Sequence, residues 1–158
     1  MIKSLSVAAI HVLIVVLVWA NYAWEQRTLP RAWTKTAPVD PYDPLRGRYV
    51  RLGLTAYADA PISGGMGQLF VSSGQLHIRQ ALCCAPFRNM SNAATGYVQL
   101  FETVSFFIPE HIPDPSQLAQ GDELWVELTV PATAAPRPLR LALKKKAGEW
   151  IDLKSKKD

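Results

Sequence analysis

RYVRLGLTA, residues Arg48 to Ala56, sets the fold class. Val50, Leu52, Leu54 and Ala56 fall on one face, and Tyr49, Arg51, Gly53 and Thr55 fall on the other. That period of two is the mark of a strand with one side against a core. The same alternation recurs downstream. Tyr97 to Ile108 places Val98, Leu100, Val104, Phe106 and Ile108 together, and Asp122 to Val130 does so with Leu124, Val126, Leu128 and Val130. Pro138 to Lys144 aligns Leu139, Leu141 and Leu143, and Trp150, Ile151 and Leu153 suit a last short strand. Ser73-Gly74 separates Gln68 to Ser72 from Gln75 to Ala81, which predicts a hairpin. Gly64, Gly65 and Gly67 predict a flexible turn before it, while Asp114-Pro115 through Gly121 leaves room for one or two helical turns. Roughly six to eight short strands without a long soluble amphipathic helix predict a mainly β domain, a small antiparallel barrel or sandwich.

Working towards the start of the chain, Leu5 to Trp24 carries no formal charge and Ala8 to Ala20 is aliphatic apart from His11. About 20 helical residues at 1.5 Å each cross a bilayer's hydrocarbon layer, and Trp19, Tyr22 and Trp24 gather where aromatic rings favour the interface. A transmembrane helix contacting lipid is the expectation. A secretory signal cut after Ala20 is the competing reading. The short N-terminal tail favours a signal anchor that exports the domain, whereas Arg27, Arg31 and Lys35 beyond the helix favour the opposite orientation. An inner-membrane protein with a periplasmic or outer-side domain is the preferred placement.

Thr34 to Pro44 is dense in proline, and Pro38, Pro41 and Pro44 exclude a regular helix. The expected organisation is a tail and transmembrane helix over 1–26, a juxtamembrane linker and first extended segment over 27–36, a β-rich domain over 37–153 and a basic tail over 154–158. The chain has 158 residues and a net charge of +4, and much of the basic excess sits at Lys144 to Lys146 and in the tail. No aromatic-rich basic groove accompanies it, so nucleic acid is not an expected partner.

Few residues point to chemistry. Cys83 and Cys84 are adjacent. They read as structural thiols, as a vicinal disulfide or redox pair, or as two ligands of a soft metal with no third ligand in evidence. Glu102 falls on the apolar side of its strand, which calls for a bulge, an arginine partner or a functional carboxylate. No GxSxG or HExxH pattern occurs. The expectation is a non-enzymatic domain with no catalytic residue, no cofactor and no metal.

TAPVDPYDPLRGRYVRLGL, Thr36 to Leu54, and SFFIPEHI, Ser105 to Ile112, resemble the GDYXXLXY family. The resemblance rests on Pro38, Val39, Asp40, Pro41, Asp43, Arg46, Gly47, Tyr49, Val50 and Leu52, and downstream on Pro109 and Glu110. Arg48 and Leu54 depart from the name motif. The resemblance implies a membrane-tethered β-rich domain associated with integral membrane proteins, and no activity. Asp40, Asp43, Arg46, Gly47, Tyr49, Leu52, Pro109 and Glu110 are the motif or binding residues it suggests, read physically as a rigid corner ahead of the first strand. A second, more distant likeness is to the β-domain of signal-peptidase type proteases, with Thr36 near the expected serine and Lys35 as the nearest lysine.

Overall fold

The computed structural model describes residues 2–40, 49–60, 62, 64–89, 96–108, 115, 118–132 and 134–153. One helix, α1 (Ile2–Thr28), precedes nine strands: β1 (Arg31–Asp40), β2 (Tyr49–Ala58), β3 (Gly65–Ser72), β4 (Gln75–Gln80), β5 (Ala85–Asn89), β6 (Tyr97–Phe107), β7 (Glu123–Thr129), β8 (Arg137–Lys144) and β9 (Trp150–Asp152). The protein is mainly β with one apolar N-terminal helix, as the alternation requires.

The strands form one sheet in the order β2-β6-β5-β3-β4-β1-β7-β8-β9, and β2 also pairs with β4 and β1. Those added pairings bend the sheet into a ring, and β7, β8 and β9 continue outward from β1. Most neighbours are antiparallel, but β4 lies parallel to β1 at Trp33/Gln75 and to β2 at Tyr57/His77 and Ala58/Ile78. Two short parallel contacts therefore complete the ring within an otherwise antiparallel sheet.

Of the linker and first extended segment expected over 27–36, β1 takes everything from Arg31 onward, so the linker is shorter than expected. Helix α1 continues to Thr28, and only Leu29 and Pro30 separate it from a strand that pairs with β2 on one side and β7 on the other. Its inward residues are Ala32, Thr34 and Thr36, all buried. Small and hydroxyl side chains give no apolar alternation, yet they satisfy themselves: Thr36 Oγ1 donates to the Gly53 carbonyl at 2.8 Å and Thr34 Oγ1 to the Thr55 carbonyl. The register slips between Pro38 and Asp40, leaving Val39 as an added residue. A proline beside a bulge loses no ladder bond. A Cβ on Gly53 would sit 2.9 Å from Val39 Cγ2, so the glycine makes room for the bulge.

The hairpin forms as expected, with Ser73 at φ 51° and Gly74 at φ 75° in its two-residue turn. Gly65 and Gly67, expected in a turn, belong to β3. At Gly67 a Cβ would meet the Ile78 side chain at 2.7 Å and the Arg79 carbonyl at 2.9 Å, so close strand approach requires glycine. β5 has no counterpart in the sequence reading. The helical turns expected near Asp114 to Gly121 do not appear among the described residues, where 120 and 121 form a turn and Gly121 has φ 95°.

Inside the ring, Leu52, Leu54, Leu76, Ile78, Phe87 and Leu124 are fully or almost fully buried. Outside, the β1, β7, β8 and β9 surface is covered by Trp33, Trp125 and Trp150. Trp150 lies 5.1 Å from Trp33 and 5.8 Å from Trp125 between ring centroids. The Arg140 guanidinium lies over Trp33 at 5.5 Å.

Ser6–Thr28 is long and apolar enough to cross a membrane, and its apolar side chains are exposed on all sides. The helix end is clamped to the sheet: Arg137 pairs with Glu25, Arg31 Nη2 donates to the Gln26 carbonyl at 2.8 Å, and Val130 N–H donates to the Pro30 carbonyl at 2.9 Å.

Candidate functional site

Glu102 is set by an irregularity in β6. Gly53 faces Thr103, but two residues further along β2 Thr55 faces Gln99, four residues away along β6. The two added residues form a bulge that re-aims the side chains around Glu102. Bulging was one of the expected explanations for a carboxylate on the apolar side, and an arginine partner was another. The bulge is present. No arginine, and no other hydrogen-bonding or ionic partner, reaches the Glu102 carboxylate among the described residues.

Glu102, a half-buried residue, lines a cavity of about 130 Å³ with Leu69, Cys84, Ala85, Pro131, Ala132, Ala134, Ala135 and Pro136. Cys83 and Cys84 are joined as a vicinal disulfide, and both residues are exposed. Cys84 sits at φ 92°, in the left-handed region that favours glycine. Leu82, just before the pair, is fully exposed and edges a wider hollow with Gly64, Gly65, Met66 and Gln80. The cavity's loop wall runs between Val130 and Arg137, the residues that grip Pro30 and Glu25, so it is fastened to the end of α1.

Three of the motif or binding residues are described, and they lie at the adjoining ends of β1 and β2. Asp40 ends β1 opposite Arg51, Leu52 is wholly within the core, and Tyr49 opens β2 with its ring 5.3 Å from that of Phe107. Asp43, Arg46, Gly47, Pro109 and Glu110 lie outside the described residues. Thr36 is buried with its hydroxyl bonded to Gly53. Lys35 projects from the opposite face of β1, where its Nζ meets Glu123 Oε1 at 2.8 Å. Hydroxyl and amine therefore do not face each other.

A second cluster was invisible in sequence. His77 is nearly buried between the rings of Tyr57 and Phe70, and its Nδ1 lies 2.7 Å from Asp59 Oδ1. A carboxylate orients this imidazole, but no hydroxyl or thiol is hydrogen-bonded to the ring among the described residues. The pair clasps the bend after β2 to β4. Asp59 and His77 are 18 residues apart, and only the parallel contact of β2 with β4 unites them.

Two strongly held ionic groups lie on the outer face. Glu127 is buried and accepts from Arg140 Nε at 2.5 Å, and the hydrogen bond to Glu127 keeps the Arg140 guanidinium protonated above its ordinary range. The hydrogen bond from Lys35 holds the Glu123 carboxyl below its ordinary range, aided by Trp125 Nε1 at 3.1 Å and opposed by partial burial. These ion pairs brace neighbouring strands.

Exposed aromatic side chains distinguish the outer face of β2 and β6: Tyr49, Tyr57, Tyr97, Phe101 and Phe107 all retain more than a third of their surface. Tyr49 packs edge-on against Phe107, and Tyr57 against Tyr97 at 5.5 Å. No curated protein and no solved structure matches the chain. The GDYXXLXY protein family matches residues 11–155, from within α1 to just beyond β9, and the chain belongs to that family.

Proposed function

We propose that the protein is an exported, membrane-anchored binding module whose aromatic β2–β6 face docks against an integral membrane protein. The carrying observation is the joint between helix and sheet. Two residues separate α1 from β1, Arg137 to Glu25 and Arg31 to Gln26 tie the helix end to the sheet, and Val130 to Pro30 holds the start of β1 against β7. With α1 in lipid, such a joint keeps the sheet at one height and one orientation over the bilayer. This removes much of the entropic cost of meeting a partner held in the same membrane.

Five exposed aromatic residues on adjoining strands supply the kind of surface enriched at protein interfaces. The oxidised Cys83–Cys84 pair supports the exported orientation, because disulfides persist outside the reducing cytosol. Among the described residues no hydroxyl or thiol is hydrogen-bonded to a base in the way a peptidase needs. The buried Thr36 hydroxyl bonded to Gly53 fits a structural role.

A photo-crosslinking residue at Phe101 or Phe107 tests the reading in intact membranes. One integral membrane protein should be captured from these positions and not from Trp125, three strands away on the β7 surface. The chain should also stay with the membrane through alkaline extraction. Equal capture from both surfaces, or release at alkaline pH, would refute the proposal.

A further inference from the structure

Leu82 to Ala85 carries chemistry that the aromatic docking face does not use. A disulfide between neighbours closes the shortest loop a chain can form, so it restrains little of the unfolded ensemble and adds little as a staple. The pair is exposed, and exposed disulfides are the ones that thiols reach and exchange with. Cys84 also lines the cavity that contains Glu102. Apart from that carboxylate the lining side chains are small or aliphatic, with Leu69, Ala85, Pro131 and Ala132 among them, while the surface open to a ligand is mostly polar. Glu102 is a half-buried residue whose carboxylate meets no partner among the described residues, so a cation that enters the cavity is drawn to it.

We infer that this cavity is a thiol–disulfide exchange site selective for thiols that carry a positive charge. The cation pairs with Glu102 and sets the ligand's sulfur against Cys84, the member of the pair that lines the cavity. The thiolate attacks Cys84 Sγ, a new S–S bond forms, and the Cys83–Cys84 bond breaks. Cys83 leaves as a thiolate and takes a proton from solvent. A second thiol attacks the mixed disulfide and releases the external disulfide together with the Cys84 thiol. Two external thiols are thereby oxidised, the chain's pair is reduced by two electrons, and the two thiol protons are balanced by those gained at Cys83 and Cys84. The carboxylate repels an anionic thiol and leaves a neutral one unassisted. The exchange is stoichiometric, one event per oxidised chain. The source of the thiol is either a small aminothiol or a protein cysteine flanked by basic residues.

The oxidised starting state rests on the exported placement proposed above. That placement is read separately by labelling reduced cells with a membrane-impermeant maleimide, which should mark Cys83 and Cys84. If labelling fails but charge selectivity holds in the purified protein, the placement is wrong and the site stands.

The full chain is purified in detergent without reductant. Its mass should be that of the disulfide form, and free thiols at this stage would overturn the inference. Reduction rates are then measured with cysteamine, 2-mercaptoethanol and 3-mercaptopropionate, each relative to its rate with 2-hydroxyethyl disulfide. Cysteamine should exceed mercaptopropionate by about tenfold at low salt, as one opposite charge in a half-buried site implies, and the ratio should shrink as salt screens it. Equal relative rates would overturn the inference, and this comparison needs no variant. In Glu102→Gln, with melting unchanged, the preference should vanish; a preference that survives would also sink it. Reaction with Lys-Cys-Lys over Glu-Cys-Glu peptides would identify a protein cysteine as the source, and reaction with cysteamine alone a small aminothiol.

Discussion

Arg140 meets several demands from one position on β8. Its Nε donates to Glu127 at 2.5 Å, its Nη1 to Asp152 at 3.3 Å, and its guanidinium covers Trp33. Glu127 lies directly across the strand pair from Arg140 and its side chain is only 7% exposed. Removing Arg140 therefore leaves a desolvated carboxylate with no compensation. Arg140→Ala should lower unfolding stability by about 2 kcal/mol, the scale for orphaning one buried polar or charged group. Arg140→Met combined with Glu127→Leu should recover most of that loss, because the shared space is refilled and no charge remains. Urea melts of the three variants measure it. A double variant no more stable than Arg140→Ala would show that the charge balance is not what matters there. Glu102 obeys the opposite logic, since it already stands without a partner among the described residues, and its placement depends on the β6 bulge.

At the scale of elements, the β1/β7 seam depends on acid–base chemistry. Lys35 and Glu123 pair across it, and the lysine's hydrogen bond depresses the Glu123 carboxyl from the ordinary value of 4.5. A carboxyl with a lowered folded value binds protons more readily when unfolded. Its contribution is therefore fully present above the ordinary carboxylate range and is lost as pH falls through the depressed folded value. Lys35 is about half exposed, so solvent screening keeps the contribution to about 0.5 kcal/mol. Lys35→Met should be less stable than the unaltered chain by that amount at pH 7 and equal to it near pH 2, as read from urea midpoints. A gap that persists at low pH would assign the effect to packing. The neighbouring β1 was also the hardest strand to read. β2, β4, β6 and β7 announce themselves through alternating Val, Leu and Ile, whereas β1 points Ala32, Thr34 and Thr36 inward and carries Pro38. β5 holds only five residues and no alternation long enough to register. Cys84 and Glu102 each stood out alone in the sequence. Their junction comes from the antiparallel pairing of β5 with β6 and from the residues near 131–136 that close over it, neither of which leaves a local pattern.

For the whole molecule, the proposed docking rests on the short joint between helix and sheet. Leu29 N–H still donates to the Glu25 carbonyl at 3.0 Å, so helical bonding reaches the residue before Pro30, and Arg31 already begins β1. A free tether would let the β2–β6 face sample every direction, and the effective concentration of that face at a neighbouring partner would fall. Inserting six Gly/Ser residues between Leu29 and Pro30 should leave the melting of the β domain within about 1 kcal/mol of the unaltered chain, because the core touches neither residue. Crosslinking from Phe107 should drop on the order of tenfold, the dilution expected when a fixed geometry becomes a flexible one. Substituting Arg137→Ala, which removes the clamp to Glu25 without lengthening the chain, should give a smaller drop in the same direction. If the insertion leaves crosslinking intact while melting is unchanged, orientation is not what the joint supplies. The β domain would then meet the proposed partner through affinity of the aromatic face alone.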